Sequence, residues 1–312
     1  MTVGKPRPDF IIAGAPRCAT TFLVRNLEAH PQVCFARSDE DYSASDVHFF
    51  DRNTPKGAEN FSKGMFWYEK LFAHCSEDTI KGEKTADYLV DPDAARLIGE
   101  YLGGVSVIVV LRDPVERAQS HFWHSRHRLP LSASLAELID RNTDYGNVWI
   151  LESGFYHRQL QRFIKTLGRD NIMVLIQEEL REEPEEQLQR ICYFLKIRND
   201  VSFPMAGARV NPASGSMVAH WIARVGSSLR SVAPGFYRWL LNGQVAGLLK
   251  RLITKTRGKD NAPAKAVVRA YPNMSAEERR KLRALYRDDV KALSEMLGRD
   301  LEEYWWGQNG VS

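Results

Sequence analysis

The stretch from Asp9 to Leu23 reads DFIIAGAPRCATTFL, and it decides the fold of this 312-residue chain. Its apolar run, FIIA at residues 10–13, is typical of a buried parallel strand. A loop of small residues follows at 14–19, and residues 22–27 carry apolar side chains at helical spacing. In such a strand–loop–helix unit, the loop N–H groups and the positive end of the helix converge on an anion. The stretch therefore predicts a phosphate-binding loop.

The loop departs from the Walker A pattern, G-x-x-x-x-G-K-[ST], in a way that bears on its ligand. Gly14 and Thr21 fit the outer positions. Ala19 replaces the second glycine, Thr20 replaces the lysine, and the cation is instead Arg17. Phosphoryl transfer from a triphosphate needs that lysine and Mg²⁺, whereas a sulfuryl group carries less charge and can be transferred without a metal. The loop therefore favours a nucleotide donor other than a triphosphate. An ordinary strand–turn–helix connection is the alternative.

Further strands and helices alternate along the chain. Apolar runs predict strands at 32–36, 105–111 and 171–176, and helical periodicity predicts helices at 66–72, 93–102, 135–139, 153–167 and 185–195, with another from 114. This alternation indicates an α/β fold with a P-loop-like central parallel sheet flanked by helices and a helical C-terminal part. We expect a single domain over residues 1–312.

A second basic position follows the strand predicted at 105–111. The strand ends in Arg112, and Ser120 lies eight residues further, two turns along the next helix. Ligands of open α/β sheets bind at the carboxyl ends of the strands. We therefore expect Arg112 and Ser120 to face one anion, with a structural ion pair as the alternative for Arg112.

Two ionisable pairs lie between these basic positions. Asp46 and His48 precede two phenylalanines, and either could take a proton from an acceptor hydroxyl at the edge of the phosphate loop. The alternative is that both are merely solvated. Glu83 and Lys84 are flanked by β-prone residues, and a surface salt bridge is the plain interpretation of that pair.

Composition limits the class of protein. The net charge of +4 suits anionic ligands but is too small to indicate nucleic acid. The N-terminus lacks the apolar core of a signal peptide, and no run is long enough to span a bilayer. Its four cysteines are scattered without a C-x-x-C pair, which favours a reducing cytoplasm and disfavours a zinc site.

Together these motifs resemble the sulfotransferase family that uses 3′-phosphoadenosine-5′-phosphosulfate (PAPS), especially its heparan-sulfate branch and bacterial relatives. The family's 5′-phosphosulfate loop, G-x-x-[KR]-x-G-T-[TSR], corresponds to residues 14–21, and its 3′-phosphate motif, R-D-P-x-x-R-x-x-S, is complete at 112–120. The family motifs E-x-[HQ]-F-F, E-K-[TS]-x-x-Y-F and G-x-Y-x-x-x-L correspond to residues 46–50, 83–89 and 154–160. The resemblance covers residues 8–200 and a C-terminal helix that ends at 297–298.

The resemblance implies transfer of a sulfuryl group from PAPS to a hydroxyl or amine of a glycan, lipid or small-molecule acceptor. The other product would be adenosine 3′,5′-bisphosphate (PAP), and no metal would be needed. The implied PAPS-binding residues are Ala15, Pro16, Arg17, Cys18, Ala19, Thr20, Thr21, Arg112, Ser120 and Tyr156. The implied catalytic residues are Arg17, Asp46, His48, Glu83 and Lys84.

Two departures from the family pattern leave alternatives open. The loop cation is Arg17, where many members have lysine, and arginine is a poorer proton donor. The family's base is usually glutamate, and the shorter Asp46 stands there, so His48 or Glu83 could be the base instead. A P-loop phosphotransferase and a catalytically silent PAP- or PAPS-binding module are the alternative functions.

Residues 216–257 depart from the compact family pattern. Apolar residues fall on one face of two predicted helices, with basic residues on the other faces. The segment is either a pair of helices packed on the domain or a lid over the acceptor site that touches a membrane surface or holds an apolar acceptor.

Overall fold

The computed structural model describes residues 6–37, 46–125, 134–141, 147–203 and 273–307. Within them, five parallel strands form one sheet in the order β2-β3-β1-β4-β5. The strands are β1 (Phe10–Gly14), β2 (Val33–Phe35), β3 (Ile80–Lys84), β4 (Ser106–Leu111) and β5 (Ile172–Ile176). The predicted α/β class with a central parallel sheet is confirmed.

Helices connect and flank these strands. They are α1 (Thr20–Leu27), α2 (Pro55–Ser62), α3 (Gly64–Lys70), α4 (Ala94–Leu102), α5 (Pro114–Ser125), α6 (Leu135–Arg141), α7 (Asn147–Ile150), α8 (Tyr156–Leu167), α9 (Gln177–Glu182), α10 (Pro184–Phe194), α11 (Ala276–Leu297) and α12 (Leu301–Trp306). A 3₁₀ turn spans Ala86–Tyr88. The C-terminal part is helical, as predicted, and Gly298 ends α11 in a left-handed conformation with φ 64°.

The centre of the sheet creates the crevice that matters for function. β1 and β4 are adjacent and almost wholly buried. From β1 the chain runs to β2 on one side, and from β4 it runs to β5 on the other. This reversal is a topological switch point, where the loops after neighbouring strands diverge and leave room for a ligand.

Five elements of the fold were not among the sequence predictions, namely β3, α2, α7, α9 and α12. Two of them have a clear physical origin. The first is β3, which has the weakly apolar sequence IKGEK. Its Gly82 packs against β1 so closely that a Cβ there would lie 2.4 Å from the Phe10 ring. The second is α2, which begins after Thr54, whose hydroxyl accepts a hydrogen bond from Gly57 N at 3.0 Å. Both form because tertiary contacts and capping compensate for a weak apolar pattern.

The scattered cysteines, which favoured a reducing cytoplasm in the sequence, include one disulfide-bonded pair. Cys34 on β2 and Cys75 before β3 form a disulfide, with a Cα–Cα distance of 5.7 Å. Cys18 and Cys192 are free and buried. The two bridged residues are 41 positions apart in sequence, so no local spacing pattern announces the bond. Cysteine usage therefore no longer argues for a reducing compartment.

No helix in the described part of the chain is long and apolar enough to cross a membrane. The segment 216–257, predicted as packed helices or a lid, lies outside the described residues. Its role stays a prediction, and so does the single domain over residues 1–312.

Candidate functional site

The loop between β1 and α1 has the conformation of an anion cradle. Arg17 and Ala19 adopt left-handed backbone conformations, with φ of 71° and 58°. Among the described residues, no group accepts a hydrogen bond from the backbone N–H of Arg17, Ala19, Thr20 or Thr21. Four donors at a helix start, without a protein acceptor, fit an oxyanion.

The other predicted loop residues shape the cradle instead of donating to a ligand. Ala15 N donates to Val110 O at 2.9 Å, and Cys18 N donates to Ala15 O at 3.2 Å. Pro16 has no N–H, and its carbonyl accepts from the Cys18 thiol at 3.7 Å. These contacts tie the loop to β4 and fix its turn. The N–H groups of Ala15 and Cys18 are therefore engaged within the protein, and the place of Ala15, Pro16 and Cys18 among the PAPS-binding residues stays a prediction.

A glycine is required where the loop leaves β1. A Cβ on Gly14 would lie 2.6 Å from the Leu89 Cβ and 3.1 Å from the Ala86 carbonyl oxygen. Leu89 approaches so closely because its N–H donates to Ala13 O at 2.8 Å. The 3₁₀ turn therefore covers the end of β1, and it brings the residues around Ala86 beside the phosphate loop.

Two basic side chains flank the switch point. The Arg17 Nε donates to the hydroxyl of Ser120 at 3.4 Å, so the loop and α5 are in contact here. Arg112 follows β4 directly, is half-buried, and forms no hydrogen bond or ion pair with any described residue. The alternative of a structural ion pair for Arg112 is wrong within the described chain. Its guanidinium is available to an anion at the end of β4.

Tyr156 supports the loop from its buried side. This residue is fully buried at the start of α8, and its hydroxyl lies 3.9 Å from the Cys18 Sγ. Burial raises the pKa of the Cys18 thiol to about 11, despite the nearby Arg117 and Arg112 cations, so the thiol is neutral. Tyr156 thus contacts the loop that would hold the donor, and the buried thiol is not a nucleophile.

Arg117 is the second arginine of the motif at residues 112–120, and the sequence analysis gave it no role. It is fully buried on α5, and its guanidinium contacts His121 Nδ1 at 3.1 Å and the Ile150 carbonyl. Its Nε has no partner among the described residues. It adds positive potential beneath the loop, since it lowers the pKa of Cys18.

A second polar cluster lies beside the end of β1. Lys84 Nζ donates to Asp46 Oδ2 at 2.5 Å, and Ala86 N donates to Asp46 Oδ1 at 2.9 Å. Burial alone would raise the pKa of Asp46, but the Lys84 ammonium and the two hydrogen bonds outweigh it and lower the pKa. Asp46 is thus held as an anion, and Lys84, which is only 7% exposed, pairs with it and not with Glu83.

His48 is held in place by a carboxylate. Its Nδ1 lies 2.6 Å from Asp51 Oδ2, and Asp51 is fully buried. Burial alone would lower the pKa of His48, but the Asp51 hydrogen bond and charge raise it. The backbone N–H of His48, with φ 53°, donates to the Thr85 hydroxyl at 3.0 Å. The imidazole is therefore fixed in orientation and favours the protonated form.

Glu83 does not face this cluster. It is fully buried on β3 and accepts hydrogen bonds from the hydroxyls of Tyr68, Tyr88 and Thr85. Burial raises its pKa to about 7, although those hydroxyls act to lower it. The Tyr88 hydroxyl in turn accepts from Phe49 N at 2.9 Å. Both earlier interpretations of Glu83 are corrected: it is neither a surface ion-pair partner nor placed to reach an acceptor, and it anchors the segment that carries His48.

Asp87 is a residue of this cluster that the sequence analysis missed. It lies in the 3₁₀ turn, with a carboxylate oxygen within 4.8 Å of a His48 ring nitrogen and of an Asp51 oxygen. Burial raises the pKa of Asp87 to about 6, partly offset by the nearby His48 charge. It occupies a variable position of the E-K-[TS]-x-x-Y-F pattern, so the motif gave no signal for it.

Two groups in the described chain have the composition of metal ligands. Cys34, His74 and Cys75 are one group, and the two sulfurs are joined as a disulfide. His48, Asp51 and Asp87 are the other, and Asp51 Oδ2 is already engaged by His48 and the Thr54 hydroxyl. Neither arrangement displays a free ligand set. Independence from metal stays a prediction.

Comparison with known proteins decides the family. The sequence profile described as the sulfotransferase family matches residues 8–200, which is more than half of the chain. The chain belongs to the sulfotransferase family. It is 26% identical over 300 residues to mouse heparan sulfate glucosamine 3-O-sulfotransferase 3A1, covering 95% of this chain and 64% of that protein. It is 25% identical over 307 residues to the bifunctional heparan sulfate N-deacetylase/N-sulfotransferase 1 of Caenorhabditis briggsae, covering 94% of this chain and 30% of that protein.

The fold agrees with that assignment. The crystal structure of a sulfotransferase from Alicyclobacillus acidocaldarius superposes with a TM-score of 0.55 at 24% identity, covering 74% of this sulfotransferase and 99% of that chain. The present chain spans less than two thirds of the curated relatives given above. The predicted resemblance is confirmed at the level of family and fold.

Proposed function

We propose that this sulfotransferase transfers a sulfuryl group from PAPS to a hydroxyl or amine acceptor and releases PAP. The observation that carries the proposal is the pair of cationic sites at the switch point. Arg17 with the free loop N–H groups lies at the end of β1, and Arg112 lies at the end of β4. Two separate anion sites fit a donor with phosphates at both its 5′ and 3′ positions.

The donor-binding roles follow from these positions. Arg17 and the free N–H groups of Ala19, Thr20 and Thr21 would bind the 5′-phosphosulfate. They would also stabilise the negative charge that develops on the leaving phosphate. Arg112, which has no partner in the described chain, would bind the 3′-phosphate, with Ser120 as a hydroxyl donor. Because Ser120 also accepts from Arg17, the two anion sites are physically coupled through α5.

We place the acceptor at the polar cluster beside the end of β1. Lys84 would supply positive charge near the transferring group. Its ammonium is held by Asp46, with 2.5 Å between Lys84 Nζ and Asp46 Oδ2. His48, whose Nδ1 is held by Asp51, belongs to the same cluster. The acceptor proton would be taken within this cluster, because Asp46 accepts from Ala86 N in the 3₁₀ turn that covers the end of β1, where the loop begins.

The acceptor class is proposed only broadly. The mouse relative is named for a glucosamine of heparan sulfate, which supports a glycan, lipid or small-molecule acceptor with a hydroxyl or amine. A peripheral membrane contact through residues 216–257 is a further proposal. A cytoplasmic location stays a prediction, and the Cys34–Cys75 bond lends it no support, because disulfides persist mainly in oxidising compartments.

Calorimetric titration with PAP and with ATP–Mg²⁺ tests the donor. We expect PAP to bind without added metal and ATP–Mg²⁺ to bind far more weakly, because Thr20 stands where a phosphotransferase has lysine. Tight ATP–Mg²⁺ binding without PAP binding would support a P-loop phosphotransferase instead. If the protein binds PAP but transfers no sulfuryl group to any acceptor fraction, it is instead a catalytically silent PAP- or PAPS-binding module.

A further inference from the structure

Three carboxylates surround His48, and two of them are already engaged. Asp46 accepts from Lys84 and from Ala86 N, and its pKa lies below its ordinary value. Asp51 accepts from His48 and from the Thr54 hydroxyl. A carboxylate that is anchored by a cation and stabilised as an anion is a weak proton acceptor. Asp46 is therefore poorly suited to take a proton from an acceptor, and Asp51 is fully buried, so an acceptor cannot reach it.

Asp87 is the third carboxylate, and it is free. No described residue donates a hydrogen bond to its side chain, and it forms no ion pair with His48 or Lys84. It is half-buried, so a ligand can reach it. The charged groups that face it are His48, Asp46 and Asp51 from the preceding segment and Lys84 from β3.

The spacing between Asp87 and His48 fits one bridging atom. The carboxylate oxygen lies within 4.8 Å of a ring nitrogen, yet the two are not in direct hydrogen-bond contact. Two hydrogen bonds of about 2.8 Å that share one oxygen or nitrogen atom span a gap of this size at a near-tetrahedral angle. A hydroxyl or amine of an acceptor is such an atom.

We propose that Asp87 is a catalytic residue of this sulfotransferase, which binds the acceptor hydroxyl or amine together with His48 and takes its proton. The inference rests on the proposed function. In the transfer step, the acceptor oxygen or nitrogen forms a bond to sulfur, and the bond between sulfur and the 5′-phosphate oxygen breaks. The electron pair of the broken bond leaves with PAP, and the acceptor proton moves to the Asp87 carboxylate. Asp46 then acts as a positioning residue that holds Lys84.

The ionisation of Asp87 suits this role. Its pKa of about 6, set by burial, leaves it mostly ionised at neutral pH and still basic enough to accept a proton. A base acts in its deprotonated form, so the transfer rate should rise with pH between about pH 5 and 7 and then level off. This rise in the pH–rate profile should disappear in a variant that lacks the Asp87 carboxylate.

The test compares Asp87→Asn with wild type and with Asp78→Asn, an exposed aspartate in the turn before β3, as a charge-matched control. Each protein is titrated with PAP and then incubated with radiolabelled PAPS and fractionated extract of the source cells. We expect D87N to bind PAP like wild type, to transfer about a hundredfold more slowly, and to lose the rise between pH 5 and 7. D78N should match wild type in all three measurements.

The outcomes separate this inference from the proposed function. Transfer by D87N within threefold of wild type, or an unchanged acidic limb, overturns the role of Asp87 and leaves the sulfotransferase proposal intact. Loss of transfer in Asp46→Asn alone, with D87N active, assigns the proton to Asp46. If wild type neither binds PAP nor transfers label, the proposed function itself fails, and the role of Asp87 fails with it.

Discussion

Replacement of Arg112 by alanine tests the separation of the two anion sites. The guanidinium stands at the end of β4 without a protein partner, so its removal breaks no internal hydrogen bond or ion pair in the described chain. Loss of one charge-assisted contact to the 3′-phosphate costs about 1.5–3 kcal/mol. The dissociation constant for PAP should therefore rise about 10- to 150-fold.

The decisive comparison uses a second ligand that lacks the 3′-phosphate. Adenosine 5′-monophosphate keeps the 5′ group that Arg17 and the loop would bind, so Arg112→Ala should change its affinity by less than about threefold, or 0.6 kcal/mol. Titration calorimetry of both ligands on both proteins forms a double-difference cycle. Arg96→Ala, an exposed arginine on α4, is the matched control and should leave both affinities unchanged. If Arg112→Ala loses equal affinity for PAP and for adenosine 5′-monophosphate, the assignment of Arg112 to the 3′-phosphate is refuted.

Two further predictions concern stability. Replacing Cys34 and Cys75 by serine should lower the free energy of unfolding by about 2–4 kcal/mol, because the disulfide closes a long loop of the unfolded chain; denaturant titration checks this, and a reductant should destabilise wild type but not the double variant. Glu83→Gln removes a buried acid whose pKa burial raises from 4.5 to about 7. Between those values the folded chain keeps a proton that the unfolded chain has lost, so wild-type stability falls as pH rises, by up to about 3 kcal/mol. Thermal unfolding from pH 4.5 to 7.5 should show a smaller fall in the glutamine variant than in wild type, and the difference should be greatest between pH 6 and 7, above the pKa of about 6 that burial gives Asp87 and Asp113. A variant that folds and binds PAP yet transfers no sulfate would contradict the anchoring role of Glu83.

The apolar strands and the loop were predictable because their signals are local. The runs that form β1, β4 and β5 are nearly all apolar, and Asp113 caps α5 by accepting from Val115 N at 2.8 Å. β3 was not predicted, because the sequence IKGEK owes its strand conformation to pairing with β1 and β2. Composition alone cannot indicate such pairing.

The site residues were predictable in identity and less so in role. The motifs indicated Arg17, Asp46, His48, Lys84, Arg112 and Ser120, and the structure brings them to two adjacent regions. The same motifs could not tell that Glu83 is buried under three hydroxyls while its neighbour Lys84 binds Asp46. Alternate residues of a strand face opposite sides of the sheet, and only the register decides which side holds the site.

Transfer of label from PAPS is the measurement that tests the central claim most directly. The full chain is incubated with radiolabelled PAPS, without added metal and with EDTA, against each fraction of an extract of the source cells. The account predicts that label moves to an acceptor in at least one fraction, that an equal amount of PAP forms, and that Arg17→Ala abolishes both. Retention of all label in PAPS with every fraction, or transfer that Arg17→Ala leaves unchanged, would contradict it.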